Sequence, residues 1–154
     1  MKNLILLLVS TFCFSQQSTI EKLIILDARD NDKNITEYYL PGGYIVFYYR
    51  TDGELSMATV VNKSRSQSYG RLSTKSKTTT VDKDGFRKDV HNYKWSYENS
   101  YNNKVGTASV RVEKVYKPQG VAFICKIVLE NMDILMYSGY KDGTQSEEVS
   151  EMLN

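Results

Sequence analysis

Apolar and polar residues alternate along much of the chain, with the period of two that is typical of half-buried β-strands. Leu55 to Val61 alternates in this way, and Tyr44 to Arg50 is rich in aromatic and β-branched residues. Between them lies Thr51-Asp52-Gly53-Glu54, where Asp-Gly supplies the positive φ angles of a tight turn. The pattern therefore predicts a β-hairpin over residues 44–61.

Three more strands are predicted in the C-terminal half. Residues 105–116 carry apolar side chains on one face, residues 121–129 are apolar on both faces except at Lys126, and residues 132–140 form the last long strand. Lys117-Pro118-Gln119-Gly120 predicts a turn between the first two, because proline presets the φ angle that such a turn needs.

The segment from Tyr69 to Tyr101 gives a weaker signal. Thr78 to Val81 and His91 to Tyr97 are predicted as two shorter strands around a turn at Asp84-Gly85. The second strand places four ring-bearing residues on one face: His91, Tyr93, Trp95 and Tyr97.

Closely spaced strands joined by short turns predict a mostly β, antiparallel fold. We expect a meandering β-barrel or a strongly curved sheet, with a β-sandwich as the alternative. The barrel resembles that of lipocalins in shape, although the Gly-x-Trp motif expected near the first strand is missing and the only tryptophan is Trp95. The resemblance is therefore to a shape and implies no lipocalin site residues.

The N-terminus has the pattern of a secretory signal peptide. Lys2 precedes an apolar run that ends at Phe14, and the small residues Cys13 and Ser15 suit cleavage after Ser15. The run is too short for a bilayer core that needs ~20 residues, and no later run approaches that length. We therefore expect a signal peptide at 1–15 and one soluble β domain at 16–154 with a short polar tail. A buried first strand or helix is the alternative.

The leader through Phe14-Ser15-Gln16-Gln17 is similar to signal peptides of small exported proteins from Bacteroidota. This resemblance implies a periplasmic or extracellular location and no particular activity. Lipid attachment at Cys13 is disfavoured, because the bulky Phe12 stands where lipoprotein signals have Gly or Ala.

Charge and cysteine content exclude several classes of protein. Loss of Lys2 with the leader lowers the formal net charge from +2 to +1, which gives no overall field for recruiting nucleic acid. Cys125 is then the only cysteine, so an intrachain disulfide is impossible. It lies in an apolar strand and is expected to be buried and inert. We expect a monomer.

Catalytic and metal chemistry finds little support. His91 is the only histidine, and no Gly-x-Ser-x-Gly nucleophile turn occurs. One histidine and one remaining cysteine cannot make a structural zinc site in a monomer. We therefore expect no catalytic residue, metal or cofactor. A hydrolase using carboxylates such as Asp27, Asp30 or Glu37 remains open, because carboxylate pairs need no motif.

Aromatic residues are the leading candidates for a ligand site. Flat amphipathic rings suit lipids, glycans or peptides at a barrel mouth or groove, although they also serve to cover a disulfide-free core. The candidate lining is Tyr44, Tyr48, Tyr93, Trp95 and Tyr97. The leading hypothesis is an exported non-enzymatic protein that binds a small apolar ligand or a partner protein.

A basic segment over residues 62–89 supports an alternative function. It could attract an envelope polyanion or protein, whereas a solvated loop is the simpler interpretation. Its basic candidates are Lys63, Arg65, Arg71, Lys75 and Lys77. The alternative is an envelope interaction or inhibitor-type protein that acts through this face or an exposed sheet edge.

Overall fold

The computed structural model describes residues 18–61 and 67–143. The predicted signal peptide, the basic residues Lys63 and Arg65, and the polar tail from residue 145 lie outside these ranges.

The described chain is built almost entirely of β-strands. The elements are β1 Ser18–Asp30, β2 Lys33–Asn34, α1 Thr36–Tyr39, β3 Tyr44–Tyr49, β4 Leu55–Val60, β5 Gln67–Val81, β6 Arg87–Asn99, β7 Val105–Lys117, β8 Gly120–Leu129 and β9 Ile134–Lys141. Apart from the two-residue β2, the strands follow the chain in order around one antiparallel sheet.

The sheet closes on itself through pairing of its first and last long strands. β1 pairs with β9 from Leu23↔Lys141 to Asp30↔Leu135, and β2 adds a short extra strand beside β1. Eight strands therefore form a closed meandering barrel, as the sequence pattern predicted. The β-sandwich alternative is wrong, because a closed sheet has no second layer to pack against.

The hairpin predicted over residues 44–61 is confirmed, with Tyr44 opposite Val60 and Tyr49 opposite Leu55. Its turn has one positive φ angle, at Gly53 (80°), and none at Asp52. The Arg50 N–H donates to Glu54 O over 2.9 Å, and the Gly53 N–H donates to Arg50 O over 2.9 Å. These bonds define a type I turn followed by a bulge, which needs only its last residue in the left-handed region.

The two strands in the weakly patterned segment are longer than predicted. β5 has 15 residues and β6 has 13, and they pair from Ser68↔Asn99 to Val81↔Arg87. The prediction was too short because residues 73–81 are exposed. A strand with no buried face has no reason to alternate polar and apolar residues.

Inward-facing side chains fill the middle of the barrel. They alternate along each strand with outward-facing ones, and each fully buried aliphatic side chain contributes ~1.5–3 kcal/mol. The core residues include Leu23, Ile25, Ile45, Phe47, Met57, Tyr93, Val110, Val112, Phe123, Cys125, Ile127 and Tyr137. The apolar stretch at residues 121–129 is less symmetrical than predicted, since Ile124 is 46% exposed on the outer face.

A single helical turn, α1, covers one end of the barrel. The helix begins at Thr36, whose N–H donates to the side-chain oxygen of Asn34 over 2.9 Å. The backbone at Gly43 packs against the end of this helix, since a Cβ there would lie only 2.6 Å from the Tyr39 carbonyl oxygen. In the described ranges, no helix is long and apolar enough to cross a membrane.

Candidate ligand-binding cavity

The two ends of the barrel differ in chemistry. We call one the aromatic end; it carries α1 and the loops at 100–104 and 130–133. We call the other the charged end; it carries the turns at 50–54, 82–86 and 118–119.

A cavity of about 270 Å³ lies at the aromatic end. Strands β6, β8 and β9 supply large side chains to its wall. The register between the strands places their inward-facing residues at the same level of the barrel. The main wall residues are Trp95, Tyr97, Ile127, Leu129, Leu135 and Tyr137. Ligand pockets are typically ~300–1,000 Å³, so this cavity suits a small ligand.

Trp95 has an unsatisfied polar group. The side chain is only 2% exposed, and its ring stacks on Tyr97 with the centroids 4.9 Å apart. Its Nε1–H makes no hydrogen bond within the described chain. A buried donor without a partner costs ~1–3 kcal/mol, so this residue of the cavity wall carries an uncompensated polar group.

Tyr97 is held over a glycine on the neighbouring strand. A Cβ at Gly106, which pairs with Tyr97, would lie 2.9 Å from the tyrosine hydroxyl oxygen. The absence of that carbon lets the ring fold across β7 and stack on Trp95. Gly106 therefore leaves room for the Tyr97 ring at the cavity wall.

A pair of tyrosines joins α1 to the barrel wall. The Tyr39 and Tyr137 hydroxyl oxygens are 3.0 Å apart, and the rings meet edge to face at 5.2 Å. Burial raises the pKa of both hydroxyls, so both remain protonated. One hydroxyl donates to the other, which leaves the second hydrogen free to donate elsewhere.

The rim of the cavity is polar. Asn99 donates from Nδ2 to Ser68 Oγ over 3.0 Å and accepts the Tyr101 N–H over 2.9 Å. Asn102 accepts the Lys104 N–H over 3.0 Å. These bonds order the loop between β6 and β7 and hold Asn102 and Lys104 at the opening.

The structure separates the five predicted aromatic residues into three places. Trp95 and Tyr97 line the cavity, whereas Tyr93 lies in the packed middle of the barrel. Tyr93 packs on Phe47 at 6.1 Å and bonds His91 Nδ1 over 2.8 Å. Burial raises the pKa of Tyr93 to about 12.

Tyr44 and Tyr48 lie on the outer face of the barrel. Both line an open groove of about 520 Å³ together with Tyr69 and small side chains such as Ala58. The ammonium of Lys22 stands 4.7 Å from the centre of the Tyr44 ring. This groove is separated from the cavity by the sheet, so the predicted set does not form one site.

Several cavity residues were missed by sequence reasoning. Leu129, Leu135 and Tyr137 belong to predicted strands, and their alternation would have placed them on the inner face with Ile127. Tyr39 lies in a four-residue helix that carries no periodic signal. Its role depends on a contact across 98 residues of sequence.

Three members of the predicted basic patch lie in the described ranges. Arg71 on β5 is ion-paired with Glu54, which directly precedes β4. Lys75 lies at a bulge in β5, and Lys77 lies opposite His91 in the exposed part of that strand. The three described members therefore point to different surroundings.

The charged end has satisfied ion pairs. Lys114 Nζ is 2.8 Å from a Glu21 oxygen, and Lys141 Nζ is 3.4 Å from the other. Asp89, 3% exposed, accepts from Arg87 over 2.7 Å and from Thr79 over 2.8 Å. Burial opposes ionisation of Asp89, but these bonds prevail and lower its pKa to about 2.

The groups considered for catalysis lie away from the cavity. Burial lowers the pKa of His91, and the charges of Lys114 and Lys77 add to this effect. Burial raises the pKa of the Cys125 thiol to about 12, so it is not a nucleophile at neutral pH. Asp27 is ion-paired with Arg29, and neither Asp30 nor Glu37 lines the cavity.

Within the described ranges, no group of three or more His, Cys, Asp or Glu side chains is arranged to hold a metal ion. Comparison of the chain with protein-family models, with curated proteins and with solved structures finds no match.

Proposed function

We propose that this is an exported, non-enzymatic binding protein that holds a small, mostly apolar ligand in the cavity at the aromatic end. The observation that carries the proposal is the buried Nε1–H of Trp95, a donor without a partner in a residue that lines an open cavity. The leader pattern at residues 1–15 supports export.

The size and chemistry of the cavity define the ligand. A volume of about 270 Å³ accommodates on the order of ten non-hydrogen atoms, given ~30 Å³ for one water in the liquid. Ile127, Leu129 and Leu135 favour an apolar body, and Trp95 favours one hydrogen-bond acceptor on it.

The residues around the cavity support binding without catalysis. Among the described residues that line it, none is His, Cys, Asp or Glu. The hydroxyls of Thr59 and Ser68 therefore have no histidine or carboxylate beside them in the described lining to activate them as nucleophiles.

The test uses the chain from residue 16 onward and the fluorescence of Trp95, the only tryptophan. Titration with a panel of medium-chain alcohols, ketones and acids should change the Trp95 emission at saturating ligand. Leu135→Phe, which fills the cavity, should abolish the change. Tyr48→Phe in the outer groove is the control and should leave the affinity unchanged.

Calorimetry separates the role of the indole hydrogen from that of the ring. Trp95→Phe retains an aromatic side chain but removes the donor, so a ligand with an acceptor should bind roughly five- to thirty-fold more weakly. Equal affinities in the two proteins, or a Leu135→Phe variant that still binds, would contradict the proposal.

A second candidate function uses a free sheet edge at β5. β4 pairs with β5 only between Gln67 and Arg71, and in the part of the chain that the structure describes no other strand covers β5 from Thr74 to Val81. Lys75 and Lys77 lie on this edge, where their charge opposes pairing with a second copy and favours an acidic extended segment.

An eight-residue peptide that alternates Glu and Val tests this candidate. It should shift the backbone amide resonances of residues 74–81, and a Lys-Val peptide of the same length should not. In Lys75→Glu/Lys77→Glu the preference should reverse. Equal responses to both peptides, or none, would count against an edge interaction.

A further inference from the structure

We infer that the ligand of the aromatic-end cavity carries one carboxylate group, and that Lys104 and Asn102 bind it at the rim. This inference rests on the proposed function and adds the chemical class of the ligand. It is drawn from the unused hydrogen-bonding groups around the cavity and from the charges at its opening.

The unused hydrogen-bonding groups at the rim are donors. The Asn99 and Asn102 side-chain oxygens already accept backbone N–H groups, and Ser68 Oγ accepts from Asn99. Asn102 Nδ2 and Lys104 Nζ make no hydrogen bond to any described residue, and each is a donor. A ligand group that satisfies the rim must therefore accept hydrogen bonds.

The charge at the described part of the opening favours an anion. Lys104 is the only charged residue among the described residues that line the cavity, and it forms no ion pair in the described ranges. A single ammonium matches one carboxylate, whereas a phosphate monoester carries close to two negative charges at neutral pH.

The carboxylate belongs at the rim and not at the bottom of the cavity. Burying an unpaired ionised group is very costly, and Lys104 is exposed to water. The apolar body then lies against Leu129, Leu135 and Ile127, within reach of the Trp95 ring. The ligand is thus a small amphipathic acid of on the order of ten non-hydrogen atoms.

Octanoate and octanamide form a matched pair of probes, because they have the same number of non-hydrogen atoms and differ in charge. Calorimetric titration of the chain from residue 16 should show octanoate binding about three- to ten-fold more tightly at low salt. The advantage should shrink in high salt, because an exposed ion pair is screened.

Two charge-removing variants locate the effect. In Lys104→Gln the advantage of octanoate over octanamide should fall to about one, while octanamide affinity stays unchanged. Lys94→Gln removes an exposed charge from the outer face of β6, outside the cavity lining, and should retain the full advantage.

The outcomes distinguish this inference from the proposed function. Equal binding of the two probes, or an advantage that survives in Lys104→Gln, would overturn the carboxylate site and leave cavity binding intact. If octanoate fails to bind while neutral members of the ligand panel do, the carboxylate inference is wrong. If nothing in the panel perturbs Trp95, both proposals fail.

Discussion

The two ends of this barrel are built by the same eight strands and use their interiors differently. At the charged end, Glu21 lies between Lys114 and Lys141, and Asp89 bonds Arg87 and Thr79. At the aromatic end, Trp95 lines a cavity and its N–H has no partner in the described chain. Ser56 Oγ and His91 Nε2 are also buried without a partner in the described chain, but neither residue lines this cavity, so Trp95 alone combines an unused donor with a place in the cavity wall.

The loops at the two ends differ in backbone strain as well. At the charged end, the turns place Gly53 and Gly85 at positive φ angles (80° and 87°). At the aromatic end, Gly42 (91°) is joined by three residues that carry a Cβ: Asn31 (52°), Asn103 (53°) and Met132 (69°). A residue with a Cβ is disfavoured in this region, so the loops around the cavity are held at a conformational cost.

The largest effect is expected from breaking the charged end. Glu21→Gln leaves Lys114, whose side chain is 10% exposed, without its carboxylate, and should lower the free energy of unfolding by about 3 kcal/mol. Adding Lys114→Met should recover most of this loss. Urea denaturation measures both, with exposed Glu37→Gln as the control. A loss below ~1 kcal/mol would show that the pair is solvated.

Adding volume should separate the packed middle from the cavity. Val110→Phe introduces a ring where Val110 is 1% exposed, and should destabilise the fold by about 2 kcal/mol. Leu135→Phe should be neutral or stabilising because the cavity accepts the added carbons. Urea denaturation tests the pair of variants. Equal losses of stability in the two variants would mean that the cavity has no room for the added carbons.

Acid should weaken the charged end through Asp89. Its folded-state pKa of about 2 lies below the ordinary value of 3.8, so its contribution is complete above pH ~4 and is lost as the pH falls towards 2. Asp89→Asn should flatten the stability profile in this window. Thermal unfolding between pH 5 and pH 2 measures the difference, and parallel profiles for the two proteins would contradict the assignment.

The smallest effect is expected at the strained loop. Met132→Gly should stabilise the protein by about 0.5–1 kcal/mol, because glycine adopts a positive φ angle without steric cost. The reciprocal change Gly85→Met, in a turn of the same hydrogen-bond pattern, should destabilise by a similar amount. Thermal denaturation compares them, and a destabilised Met132→Gly would mean that the methionine side chain makes a stabilising contact.

Most strands could be predicted from the sequence, because turn residues and alternation between apolar and polar residues are local signals. Asp52-Gly53 marked the first hairpin, and alternation over residues 105–116 marked β7, which extends from Val105 to Lys117. The length of β5 could not be read, because its exposed residues carry no alternation. Closure of the sheet could not be read either, since pairing of β1 with β9 depends on contacts across the whole domain.

The site was only partly predictable, for a similar reason. The period of two placed Trp95 and Tyr97 on one face of their strand. It could not show whether Tyr44 and Tyr48, on another strand, point to the same side of the sheet. The register between strands decides this, and it puts the latter two outside. Tyr39 and Lys104 reach the cavity from connections between strands, where side-chain direction follows loop geometry instead of a period.

Pairing between β1 and β9 also sets the order in which the protein can fold. β1 pairs with the nearby β3 along one edge, but along the other edge its partner lies more than one hundred residues later in the chain, at Leu135 to Lys141. Hairpins such as β3–β4 and β5–β6 require only local contacts and can form while the rest of the chain is unstructured. The cavity also takes Leu135 and Tyr137 from β9, so it is complete only once β9 has joined the sheet.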